Sequence, residues 1–151
     1  MFVTVNNVGI ANNGQRDLGT ISVGVNLTAF ISISNSGTTA LNLGNIQING
    51  SGAGAFTSSA VSTQNVAPNT SANLSLTFNT TTAGNYTAFV TIANNVLGKN
   101  PYTFTVFATA SVIPDIAVKQ TANILANGAG NYVFANQNVN SASADVTFVI
   151  F

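Results

Sequence analysis

The chain has 151 residues, 46% of them hydrophobic and only 4% charged, with three basic and three acidic side chains and a formal net charge of zero. Three scattered cations, Arg16, Lys99 and Lys119, cannot neutralise a phosphate backbone, which excludes nucleic acid as a partner. Histidine and cysteine are absent, which removes disulfides, thiol chemistry, the usual nucleophile–base pairs and most zinc or copper sites.

A soluble domain ordinarily carries about a quarter charged residues. Here Asn, Thr, Ser and Gly must cover the surface instead, as in NTTTAGNYT (79–87) and NVNSASAD (138–145). Such a surface is solvated by hydrogen bonding but does little to keep copies apart. No stretch reaches the roughly 18 apolar residues of a membrane-spanning helix. The opening MFVTVNNVG lacks the basic segment and long apolar run of a secretory signal.

In chain order, period-two alternation predicts strands over 2–5, 18–23, 27–34, 41–48, 54–58, 72–79, 84–93 and 101–109. The pattern is plainest where Leu27, Ala29, Ile31 and Ile33 alternate with Thr28, Phe30, Ser32 and Ser34. Turns rich in Gly and Asn separate the strands, including NSGTT (35–39), INGSG (48–52) and NTTTAGN (79–85). Pro68 and Pro101 stand at expected strand starts, where a missing N–H is tolerated. Glu is absent and strong helix formers are sparse, so the fold class is all-β.

So many short strands in about a hundred residues describe a β-sandwich over residues 1–110. Its inner faces are expected to hold Ile31, Ile33, Leu43, Ile46, Leu74, Leu76, Phe78, Phe89, Val90, Ile92, Phe104 and Val106. Residues 111–151 read as the opening strands of a second, incomplete repeat. Ile116-Ala117-Val118 echoes Val3-Thr4-Val5, Ile124 echoes Ile10, and Val146, Phe148 and Ile150 echo Ala29, Ile31 and Ile33.

Four segments, DLGTISVG (17–24), FISISNSGTTALNLGNIQINGSG (30–52), VAPNTSANLSLTFNTTTAGNYTAFVTIANN (66–95) and NPYTFTVFAT (100–109), resemble the ASPM/SPD-2/hydin family, including its bacterial choice-of-anchor D modules. The resemblance implies an immunoglobulin-like sandwich serving as a spacer or interaction domain, with no common catalytic residues. Leu18 stands where the family usually shows Phe, and the charge content is lower than is usual there.

No enzymatic role is expected, and neither a cofactor nor a metal. The three carboxylates, Asp17, Asp115 and Asp145, lie apart in sequence, and only a meeting in space would create a two-carboxylate site. Asp17 is expected instead to end a loop beside Arg16 or to accept turn N–H bonds. The Asn-rich loops 12–17 and 127–131 read as turns rather than as calcium cages.

Assembly is the function toward which the pattern points. The segment Asp145–Phe151 (DVTFVIF) is an apolar strand expected to lack a partner within its own molecule. Pairing with the opening strand of another copy would use Phe2, Val3 and Val5 on one side and Val146, Phe148, Ile150 and Phe151 on the other. The expectation is a structural subunit of an extracellular or cell-surface filament, self-associating head to tail by strand complementation. Alternatives are an adhesin or binding module gripping a surface glycan or protein, and a spacer from a large surface protein.

Overall fold

Alternating apolar and hydroxyl residues bury one side of each strand, and the computed structural model shows how those sides meet. It describes residues 1–113, 118–120, 123–125, 133–134, 136, 138–142 and 145–150. Two compact units are present, Met1–Val112 and Ile113–Phe151.

The first unit contains β1 (Phe2–Val5), β2 (Val8–Ile10), β3 (Gly14–Ser22), β4 (Leu27–Asn35), β5 (Leu41–Asn49), β6 (Phe56–Ser58), β7 (Asn65–Val66), β8 (Thr70–Phe78), β9 (Gly84–Asn94) and β10 (Tyr102–Ser111). These form two five-stranded sheets, β2-β1-β4-β8-β6 and β3-β10-β9-β5-β7. Pairing is antiparallel except between β3 and β10, which run parallel. The architecture is an immunoglobulin-like β-sandwich, as the sequence implied.

Between the sheets lies one continuous apolar core. Val3, Val5, Ile33, Val66, Leu76, Phe78, Ile92 and Val106 are fully buried in it. Phe78 forms the centre of an aromatic stack, with ring centroids 5.0 Å from Phe56 and 5.4 Å from Tyr86. Burial of Ile31, Ile33, Leu43, Leu74, Leu76, Phe78, Val90, Ile92, Phe104 and Val106 matches the expected inner faces, and Ile46 is partly buried against them. Phe89 does not belong there. It is 51% exposed, because neighbours on a strand face opposite sides and Ala88, Val90 and Ile92 take the inner one.

Several expected boundaries move. β3 begins at Gly14 rather than residue 18, and residues 53–55 form a 3-10 turn ahead of a shortened β6. β2 and the two-residue β7 are additional strands. Asn6 and Asn7, with φ of 50° and 63°, make the two-residue turn that joins β1 to β2. Two successive left-handed residues suit the twist of a tight hairpin, and Asn tolerates that conformation.

Two buried asparagines hold loops that carry no regular structure. Asn35 Nδ2 donates to the carbonyls of Thr39 (2.8 Å) and Val66 (2.9 Å), while its Oδ1 accepts from Gly37 N. Asn94 does the same for the 95–100 loop, donating to the carbonyls of Ile92 and Lys99 and accepting from Val96 N. Each amide meets backbone groups that burial would otherwise leave without partners.

In the second unit, β11 (Val118–Gln120), β12 (Asn123–Leu125) and β13 (Phe148–Ile150) form one sheet of order β12-β11-β13. Both pairings are antiparallel. The same arrangement occurs in the first unit as β2-β1-β4, and the registers correspond. Val118 pairs with Leu125 and Ile150 as Val3 pairs with Ile10 and Ile33. Gln120 pairs with Asn123 and Phe148 as Val5 pairs with Val8 and Ile31. Pairing therefore sets Val118 against Val3, two residues from the sequence match, which had set Ile116 there. Ile116 itself lies outside the described residues, as do Asp115, the 127–131 loop and Phe151.

Candidate functional site

A β-sandwich offers edges and faces for contact, and the outermost strands of the first unit are guarded. β2 and β6 have three residues each and β7 two, so they offer little backbone to an added strand. β3 is the long exception, with nine residues. Two features blunt it.

Its register against β10 slips between Phe107 and Thr109, a bulge at which Gly19 adopts φ of 110° and Asp17 Oδ1 accepts the Gly19 N–H at 2.8 Å. Arg16, paired with inward-facing Val106, turns its side chain toward the interior and leaves its Nε buried with no hydrogen-bond partner. An inward charge and a bulge are both devices that oppose edge-to-edge pairing.

The sequence-derived assembly residues fall in unlike settings. Val3 and Val5 are fully buried core residues, and Phe2 is 53% exposed with its ring against Gly9. β1 lies between β2 and β4, so its backbone is paired on both sides and has no open edge for another strand. The segment 145–151, expected to find no partner in its own molecule, has one. Phe148–Ile150 pairs with Val118–Gln120, because β11 offers an edge in the right register.

On its other side, no strand flanks β13 among the described residues. Val149 and Ile150 are 52% and 66% exposed, and Val146 is half-buried. The corresponding side of β4 in the first unit is covered by β8 over nine residue pairs, from Leu27–Phe78 to Asn35–Thr70. The sequence match of Phe148 and Ile150 with Ile31 and Ile33 agrees with this correspondence, while the two-residue shift at Val118 was missed. The two-residue spacing between the paired segments of each hairpin was the available signal.

Other candidates are structural. Asn12 and Asn13, just ahead of β3, tie to β10, with Asn12 Oδ1 accepting from Thr103 N and Asn13 Oδ1 from Thr103 Oγ1. Among the described residues no group of three His, Cys, Asp or Glu could hold a metal ion. A depression of about 510 Å³ between the β5 bulge and residues 58–64 is lined by uncharged residues such as Asn45, Ile46 and Gln64. No helix among the described residues is long and apolar enough to cross a membrane.

Residues 11–109 match the family model described as HYDIN/CFA65/VesB-like, Ig-like domain. A protein of unknown function from Porphyromonas gingivalis W83 is similar in structure over 71% of this chain and 46% of its own, with 17% identity and a TM-score of 0.55. The ASH/PapD-like domain 7 of human CEP192 matches over 74% of this chain and 87% of its own, with 16% identity and a TM-score of 0.50. The secreted serine protease VesC of Vibrio cholerae matches over 63% of this chain, with 20% identity and a TM-score of 0.50. The matched part spans under half of the Porphyromonas chain and 21% of VesC. No curated protein matches by sequence.

Proposed function

The chain belongs to the HYDIN/CFA65/VesB-like Ig-like domain family, and we propose that it is a structural subunit of an extracellular filament or surface layer, polymerising head to tail by β-strand complementation. The Ig-like domain matched over residues 11–109 is a structural, non-catalytic fold.

The observation that carries the assembly reading is the side of β13 that no strand flanks among the described residues. It occupies the position that β8 covers in the first unit, and its exposed Val149 and Ile150 offer apolar surface there. A strand supplied by another copy would extend the sheet along that side and cover Val149 and Ile150. Because the first sandwich is closed and its edges guarded, donor and acceptor both lie outside its core. A strand added along β13 from another copy is a heterologous contact, which extends as a filament where its rotation does not close into a ring. A nearly uncharged chain opposes such stacking weakly.

Sedimentation velocity and electron microscopy of the intact chain and of a chain lacking residues 145–151 test this reading. Polymers are expected from the first alone. Polymers from both would overturn strand complementation, and monomers from both would overturn the filament. Monomers from both would favour a spacer of tandem sandwiches, a second reading supported by the shared order of β12-β11-β13 and β2-β1-β4.

A further inference from the structure

We propose that the outer face of the β3-β10-β9-β5-β7 sheet is a binding platform for a neutral polysaccharide. Strand register sets Gln15, Thr105, Phe89 and Asn49 side by side in one row across four strands. The next row places Asp17 beside Phe107. Phe89 and Phe107 are therefore diagonal neighbours on one face.

The two rings differ from the other large aromatics of this sheet in facing outward, since Tyr102 and Phe104 are buried and Tyr86 packs on the core against Phe78. Phe89 is 51% exposed and Phe107 half-buried. An aromatic face flanked by carboxamides and hydroxyls has the two properties a sugar requires. The ring covers the C–H face of a pyranose, and Gln15, Asn49 and Thr105 can each donate and accept hydrogen bonds with its hydroxyls.

Asp17 spends one oxygen on Gly19 N, and its second oxygen remains an acceptor beside Phe107. No cation shares these two rows, so an acidic polymer meets only the Asp17 carboxylate and is repelled. Strands step about 4.8 Å apart, close to the length of one pyranose ring. A sugar chain crossing the strands thus meets a new strand at each residue. This platform is independent of the assembly edge.

The test uses the full chain with insoluble cellulose and chitin, and affinity electrophoresis in soluble β-glucan, mannan and alginate. Retention by at least one neutral polymer is expected, reduced at least tenfold in Phe89→Ala and restored in Phe89→Trp. Circular dichroism confirms that each variant is folded. Phe30→Ala, altering an exposed ring on the other sheet, leaves retention unchanged. No retention on any neutral polymer, undiminished retention by folded Phe89→Ala, or retention in alginate alone would overturn the proposal. Self-association abolished by Phe89→Ala without glycan retention would overturn it too, assigning the face to a second copy.

Discussion

Tyr102 donates its phenolic hydrogen to the carbonyl of Ile10 at 2.5 Å, tying the middle of one sheet to the edge strand of the other. Both residues are buried, so the carbonyl has no water to replace the tyrosine. Tyr102→Phe keeps the ring and leaves that acceptor unsatisfied, at a cost of about 1–3 kcal/mol. Urea denaturation at neutral pH measures the loss, and an unchanged midpoint would show that the bond contributes nothing.

The same phenol makes stability depend on alkali. Burial raises its pKa above the ordinary 10.0. The folded state thus holds a proton that the unfolded chain releases, and the slope of stability with pH is negative between the two values. Its contribution is intact below the unfolded pKa of about 10 and is lost as pH rises through the folded one. The native chain is expected to lose stability more steeply above about pH 10 than Tyr102→Phe does. Parallel pH profiles would count against this.

Asn35 and Asn94 each satisfy three backbone groups from within buried or partly buried settings. Replacing either by Ala removes both donor and acceptor, and leaves orphaned backbone groups worth about 1–3 kcal/mol each where water cannot enter. Amide hydrogen exchange is expected to rise at Gly37 in Asn35→Ala and at Val96 in Asn94→Ala. Unchanged exchange at those amides would show that the loops hold themselves.

Arg16 acts as a guard rather than as a contributor to stability. With its Nε buried and unpartnered, Arg16→Val is expected to leave thermal stability equal or higher while increasing aggregation through the β3 edge. Light scattering during incubation at fixed concentration reads the second effect. A variant that aggregates no faster would remove the guarding role.

Core and face separate cleanly at two phenylalanines. Phe78 is fully buried between Phe56 and Tyr86, and Phe78→Ala is expected to cost about 3–5 kcal/mol. Phe30 is 69% exposed, and Phe30→Ala should change stability by about 0.5 kcal/mol or less. Comparable losses at the two sites would contradict the assignment of inner and outer faces.

Alternation made most of the sandwich legible, because a strand buried on one side must alternate, and β4, β8 and β9 do so over nine residues or more. Phe89 was misread because aromatic content was weighed without parity, although Val90 beside it already claimed the inner side. β2 was missed for its brevity, though Asn6-Asn7 between Val5 and Val8 is a two-residue hairpin turn. The partner of Phe148–Ile150 was not named, although the repeat match set Phe148 and Ile150 against Ile31 and Ile33, the register the structure shows. Pairing with Val118–Gln120 joins segments far apart in sequence, and register across such a gap leaves no local trace.

The account rests on a first sandwich that is complete in itself, with assembly confined to the segment beyond it. Sedimentation equilibrium of residues 1–112 alone, at increasing concentration, tests this most directly. A folded monomer throughout is expected, unfolding in one cooperative transition. A segment that polymerises, or that cannot fold without residues 113–151, would contradict it.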